Sequence, residues 1–164
     1  MSIPVSPHGG DKAFELATSV EKNSLVNFAI ESNDVYKTRT AKREVAEEVF
    51  DLVDSQFKYG YVEKLVDSKT DAIIGFYSLK KSRKNGSIEL GHLFVRPDLL
   101  KKGYGKILFA RALEKAKSLD KNSMHWISDP DAEGFYLKMG AYKTGTDENL
   151  LNPKVPVPLF EIKI

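Results

Sequence analysis

The stretch SIELGHLFVRPDLLKKGYGKILF (87–109) is the part of the chain best equipped for chemistry. An apolar run ends at Arg96-Pro97, a short loop follows, and Gly103-Tyr104-Gly105 opens a helical pattern. A helix N-terminus presents unpaired N–H groups and the positive end of the helix dipole, and the two together accept a phosphate. Gly103 and Gly105 lack side chains that would obstruct a close backbone approach. Lys101, Lys102 and Lys106 add positive charge around them. The chemistry implied is recognition of a pyrophosphate, largely by the backbone of Lys102, Gly103, Tyr104, Gly105 and Lys106. Two other phosphate-binding patterns fail on residue identity. A P-loop needs Ser or Thr after its lysine, and Lys106 is followed by Ile107. A dinucleotide fingerprint needs a third glycine where Leu108 stands, and a parallel strand–helix–strand frame. The plainer alternative is a glycine-containing helix start with solvated lysines.

Proton chemistry has few candidates. Glu89 lies in the apolar run, where a partly buried carboxylate can take a proton directly or through water. Its plainer reading is a solvated strand residue beside a turn. His92, with an ordinary imidazole pKa near neutrality, is an alternative base. Alternation puts residues 89 and 92 on opposite faces of a strand unless a bulge intervenes. His125 reads as a packed strand residue. The three histidines, His8, His92 and His125, form no close ligand pair and there is no cysteine. Disulfides, thiolate nucleophiles and Cys-built zinc sites are thereby excluded, and no metal is expected.

The elements that must position these residues follow from periodicity. Residues 13–18 (AFELAT) alternate as a short strand, and Thr18-Ser19-Val20-Glu21 fits a capping box opening a helix to about Ser32. Residues 39–55 predict a second helix, with Val45, Val49 and Leu52 on one stripe. Three strands follow at 61–67, 72–80 and 87–95, the last two joined by a basic turn ending in Asn85-Gly86. Residues 103–119 predict a helix with Leu108, Ala112, Ala116 and Leu119 inward. A strand at 124–128, a short helix over 132–139 stopped by Gly140, and strands at 141–146 and 159–164 complete the order. The segment 147–158, with three prolines, is a connecting loop. The expectation is an α/β (α+β) fold ordered β-α-α-β-β-β-α-β-α-β-β, with a mixed, largely antiparallel sheet and helices on both faces.

The chain has 164 residues, 41% hydrophobic and 29% charged, which suits one domain over 1–164 with a loose segment at 1–12. Twenty-five basic residues against 23 acidic ones give +2, too balanced to argue for nucleic acid or a membrane surface. No apolar run is long enough to span a membrane. The N-terminus lacks a secretory pattern, so a cytoplasmic location is expected.

The element order, the strand ending in LFVRP, and KKGYGKILF together resemble the GNAT superfamily of acyl-CoA-dependent N-acyltransferases. The family signature Q/R-x-x-G-x-G/A falls on Leu100–Gly105, with both glycines in place and Leu100 where Gln or Arg is usual. A second match is DPDAEGFYLKMG (129–140), similar to the family's N-x-x-A-x-x-F-Y-x-x-x-G. Ala132, Phe135, Tyr136 and Gly140 agree. Asp129 replaces Asn, keeping acceptors and losing an amide donor.

The resemblance implies acetyl-CoA as cosubstrate, with main-chain groups of Leu93, Phe94 and Val95 pairing with its pantetheine arm in a V between two strands. Lys101 through Lys106, with Asp129, Ala132, Phe135 and Tyr136, would form the rest of the coenzyme site. Tyr136 is implied as the acid that protonates the leaving thiolate, against a plainer role as a packed aromatic, and Glu89 as the base. The implied reaction is direct transfer of an acetyl group to a primary amine of a small molecule or peptide in a ternary complex. A catalytically degenerate coenzyme A-binding regulatory domain is the alternative from the same resemblance, and a nucleotide-dependent oxidoreductase a distant third. Residues 31–54 carry seven acidic side chains against four basic ones, a net of −3 that could attract a cationic acceptor, though such charge often marks a solvated helix face. The sequence leaves the oligomeric state open, a homodimer included.

Overall fold

The computed structural model describes residues 3, 4 and 11–164. Its centre is an eight-stranded sheet ordered β1-β2-β3-β4-β5-β6-β8-β7. These strands are β1 (Ile3–Pro4), β2 (Lys12–Leu16), β3 (Val62–Asp67), β4 (Ile73–Lys81), β5 (Ser87–Val95), β6 (Ser123–Ile127), β7 (Tyr142–Asp147) and β8 (Val157–Lys163). All neighbours are antiparallel except β5 and β6. The segment 1–12 is therefore not wholly loose: Ile3 and Pro4 add a short edge strand against Phe14 and Ala13, and Lys12 opens β2. The remainder of that segment up to residue 10, His8 included, lies outside the described residues.

The helices cover both faces. On one, α1 (Lys22–Asp34) lays Leu25, Val26, Ala29 and Ile30 against Val62 and Phe76. On the other, α4 (Tyr104–Ser118) packs Leu108, Phe109, Ala112 and Ala116 against Tyr77, Leu79, Ile88 and Leu90. β4 is buried on both sides over six consecutive residues, as expected of a strand between two helical layers. A buried carboxylate locks α4 to the sheet: Arg111 donates to both oxygens of Glu63 (3.0 and 3.2 Å), and the Tyr77 hydroxyl donates to the same carboxylate. At the start of α1 the Glu21 carboxylate takes the Thr18 N–H at 2.8 Å. This opens a 3-10 turn, Ser19–Glu21, before the helix proper.

The second predicted helix is corrected. Residues 39–55 form α2 (Arg43–Val49) and α3 (Asp54–Lys58), with a break between them. Phe50 and Leu52 are both buried, and a continuous helix would point residues two apart roughly 200° away from each other. Extended backbone at Val53 (φ −100°, ψ 151°) lets both side chains enter the core. The short helix after β6 is a 3-10 turn, Pro130–Ala132, leading into α5 (Glu133–Lys138).

One feature of the sheet positions the site. β5 and β6 pair only at Ser87↔Ser123, Ile88↔Met124 and Glu89↔His125. Beyond Glu89 the strands part, β6 remaining paired with β8 and β5 with β4. No helix among the described residues is long and apolar enough to cross a membrane.

Candidate active site

The parting of β5 and β6 opens a cleft of about 670 Å³. The edge of β5 that faces it, Leu93, Phe94 and Val95, has no strand partner on that side among the described residues. Unpaired N–H and C=O groups there must find water or a ligand, so this edge suits an extended amide-bearing chain.

Both motifs meet at the cleft. Gly103 is the cap residue of α4 at φ 89°, ψ 0°, a conformation that glycine adopts without strain. A Cβ built there would meet nothing within 4 Å, so the space over the turn is open to a ligand. Lys101 also has a left-handed backbone (φ 62°). At Gly105 a Cβ would lie 3.2 Å from Cε1 of Phe135, so this glycine lets α5 close against α4. Lys101, Gly103, Gly105 and Lys106 line the cleft, as do Asp129, Ala132, Phe135, Tyr136 and Glu89. The side chains of Lys102 and Tyr104 do not: Lys102 is exposed, and Tyr104 packs against the core under α4. An open anion cradle, a bare strand edge and a bank of lysines fit a pyrophosphate-bearing thioester such as acetyl-CoA.

Tyr136 sits where β5 and β6 separate, its ring 4.9 Å from that of Trp126 and 5.1 Å from that of Phe135. Burial pushes its phenol pKa far up, and the nearby Asp129 carboxylate and Tyr36 phenol push the same way. The hydroxyl is therefore a proton donor throughout the neutral range. Asp129 is fixed by Asn33 of α1, whose Nδ2 donates to Oδ1 at 3.0 Å. Burial raises the Asp129 carboxyl, as does Asp131, and the Asn33 bond opposes them.

Glu89 and His92 share the face covered by α1 and α2. Glu89 opposes Lys80, His92 opposes Ser78, and the register slips between Ser78 and Leu79 so that Gly91 has no partner. A bulge does intervene, and the two side chains are not separated by face. His92 is buried with both nitrogens engaged: Nε2 bonds the Phe50 carbonyl at 2.8 Å and Nδ1 bonds Ser78 Oγ at 2.6 Å. A carbonyl only accepts, so Nε2 carries the hydrogen and Nδ1 accepts from the Ser78 hydroxyl. Burial lowers the imidazole pKa to about 4. His92 is thus a neutral tie between the end of α2 and the centre of the sheet. His125 bonds Ser82 Oγ through Nε2 at 2.7 Å.

The sequence reading missed several parts of the cleft. Ser32 and Tyr36 enter from the end of α1, and Trp126 from β6. Asp131 and the loop residues Glu148 to Leu151 supply another wall. None of the seven acidic residues counted in 31–54 lines the cleft. Several are paired outside it, Asp34 with Arg39 and Glu47 with Arg43. Asp131 alone had a local signal, since it falls inside the DPDAEGFY segment; the others are gathered by tertiary contact. Among the described residues no group of three or more His, Asp or Glu side chains is placed to hold a metal ion.

Comparison with known proteins adds three findings. The family model described as acetyltransferase (GNAT) family matches residues 27–141. No curated protein matches by sequence. Among solved structures, a GNAT-family acetyltransferase from Staphylococcus aureus Mu50 superposes with a TM-score of 0.71 at 14% identity, over 93% of this chain and 98% of that one. The PaiA N-acetyltransferase from Thermoplasma acidophilum, in complex with coenzyme A, gives 0.67 at 17% identity over 93% and 99%. N-acetylglutamate synthase from Neisseria gonorrhoeae, complexed with coenzyme A and N-acetyl-glutamate, gives 0.66 at 14% identity. The match covers 93% of this chain and 35% of the synthase. At these identities the structural likeness speaks for the fold.

Proposed function

The chain belongs to the GNAT family of acetyltransferases, and we propose that it moves an acetyl group from acetyl-CoA to a primary amine by direct attack in a ternary complex. The observation that carries this reading is one cleft holding an open Gly-x-Gly turn at the head of α4 and the Tyr136 hydroxyl where β5 and β6 part. Acetyl-CoA supplies a thioester whose carbonyl carbon accepts the amine, so that a C–N bond forms as the C–S bond breaks.

The chain's residues supply binding and proton management. The amides of the 102–106 turn and the dipole of α4 hold the pyrophosphate, with Lys101 and Lys106 as supporting charges. The free edge at Leu93, Phe94 and Val95 holds the pantetheine amides, and Asp129, Ala132 and Phe135 form the opposite wall. Tyr136 gives its proton to the departing sulfur, and the proton shed by the acylated nitrogen returns through water to the phenolate, whose raised pKa favours the phenol. Glu89 takes the ammonium proton, through water, before attack. Fixing both reactants in one cleft supplies the orientation that makes the step effectively unimolecular.

The test is incubation with acetyl-CoA and a panel of amines, following free thiol and the mass of the product. An amine-dependent release of thiol with a 42 Da gain on the acceptor, about the mass of the added acetyl group, supports the reading. Tight coenzyme binding with no turnover on any amine would make the chain a coenzyme-binding regulatory domain instead.

A further inference from the structure

We propose that the acceptor end of the cleft is built for a small diamine or polyamine, an acceptor with a second ammonium group besides the amine that is acetylated. The proposal rests on the acetyl-transfer reading and names the substrate class of that same site.

Charge is divided along the cleft. Lys101 and Lys106 stand at the Gly-x-Gly end, and Lys80 lies across the strand pair from Glu89. At the end walled by α1 and the β7–β8 loop the lining charges are Asp131 and Glu148, and Asp129, which also forms the coenzyme wall, adjoins them through its bond to Asn33 of α1. None of these three carboxylates forms an ion pair among the described residues; Asp131 and Glu148 are exposed, and Asp129 is the one set back from the surface. A carboxylate withdrawn from water is costly unless a cation compensates it, and Asp129 has only the Asn33 amide at 3.0 Å. A positively charged ligand completes this set.

Three features apart from the carboxylates favour the same ligand. Ser32 lines the cleft at 5% exposure, and its hydroxyl has no hydrogen-bond partner among the described residues. The hydroxyl thereby keeps its hydrogen-bonding capacity unspent at the wall of the cleft. The thirteen-residue α1 ends beside it with no basic side chain in its last turn, and the negative end of a helix dipole favours a cation. Tyr36, four residues after Ser32, adds an aromatic ring at the same wall, a surface that attracts ammonium groups.

The same loops favour a small acceptor over a polypeptide. Leu151 accepts the N–H groups of Thr40 and Ala41 at 2.9 and 3.0 Å, and Asn152 Nδ2 donates to the Thr38 carbonyl at 2.8 Å. The α1–α2 and β7–β8 connections that wall this end are thereby stitched together, leaving less room on that side for a polypeptide than for a small amine.

The experiment compares 1,4-diaminobutane with n-butylamine as acceptors for acetyl-CoA at fixed pH and ionic strength. The expected kcat/KM is at least about tenfold higher for the diamine, and Asp131→Asn together with Glu148→Gln collapses that ratio to about one. Calorimetric titration of 1,4-diaminobutane into the protein saturated with coenzyme A reads binding without turnover, and the double variant should weaken it at least about fivefold. Equal kcat/KM for the two amines, or a lysine-bearing peptide preferred to both, overturns the diamine assignment and leaves acetyl transfer standing. Diamine binding that the double variant abolishes, with no acetyl transfer to any amine, supports the pocket and removes the acetyl-transfer reading.

Discussion

Glu89 and His92 project from the same face of β5, three residues apart where strict alternation would oppose them, because Gly91 is an unpaired bulge residue between them. A side chain is disfavoured at the bulge: a Cβ at position 91 would lie 2.8 Å from Ser78 Oγ, which is held by His92 and Gln56, and 3.2 Å from Cγ of Lys80. Hydrogen bonding, not direction, is what distinguishes the two side chains. Both nitrogens of His92 are spent on Phe50 and Ser78. Glu89 is half-buried at the cleft with no ion pair among the described residues.

The first prediction concerns the His92 tie and stability. Its imidazole pKa falls from 6.5 to about 4 on burial, so the unfolded chain binds the extra proton between those values. The stabilising contribution is present above pH 6.5 and is lost as pH falls toward 4. His92→Gln keeps a donor and an acceptor and removes the titration. Denaturant unfolding should show the native protein losing about 2 kcal/mol more than the variant between pH 7 and pH 5. Parallel losses in the two proteins would mean that the imidazole titrates normally.

The coenzyme turn gives the second. Gly103→Ala has room for its methyl but must hold φ near 89°, a strain of about 1–2 kcal/mol in stability. Gly103→Glu adds bulk and a negative charge where the pyrophosphate is proposed to lie, and calorimetry should show coenzyme binding abolished. Coenzyme affinity unchanged in Gly103→Glu would sink the proposed cradle. Lys101→Ala should weaken binding only a few-fold, since an exposed lysine is a screened point charge.

Much of this was legible in the sequence, for physical reasons. α4 and the three central strands announce themselves because their apolar periods, 3.6 and 2, are enforced over many residues. The Gly-x-Gly turn shows because only glycine fits Gly103's backbone. The bulge at Gly91 did not show, since a glycine in a strand fits several local geometries. The break after α2 was hidden because Val45, Val49 and Leu52 mimic a helical stripe while Leu52 reaches the core from the non-helical link between α2 and α3. The acidic side chains of 31–54 do not reach the cleft, whose carboxylates besides Glu89 are Asp129, Asp131 and Glu148, residues gathered by the return of the chain through β6 and the β7–β8 loop. Net charge along a segment does not say which way its side chains face.

Tyr136 supplies the third prediction. Its ring is packed among Trp126, Phe109, Phe135 and Phe160, so Tyr136→Phe preserves the packing and deletes only the hydroxyl. Coenzyme affinity and thermal stability should stay near those of the native protein while kcat falls on the order of 10²-fold, the scale of one acid–base group. Lost coenzyme affinity with kcat intact would instead make the tyrosine a binding residue.

The last prediction sets Glu89 against His92 as the base. An amine enters as ammonium and must lose a proton before it can attack, and the need is greatest at low pH, where the least neutral amine is present. Glu89→Gln is nearly isosteric and cannot take that proton. It should lower kcat/KM by roughly 10²-fold near pH 6.5 and by much less near pH 9, where solvent has already deprotonated the acceptor. His92→Gln, read at pH 8, where the native imidazole is neutral, should change kcat/KM by less than about tenfold, through small shifts in the strand that carries Glu89. Steady-state pH profiles of both variants decide the matter. A large uniform loss in His92→Gln beside an unaltered Glu89→Gln would transfer the role to the imidazole and require the Phe50 or Ser78 bond to break during turnover. Two unaltered profiles would leave deprotonation to solvent and reduce the contribution of the fold to holding the reactants together.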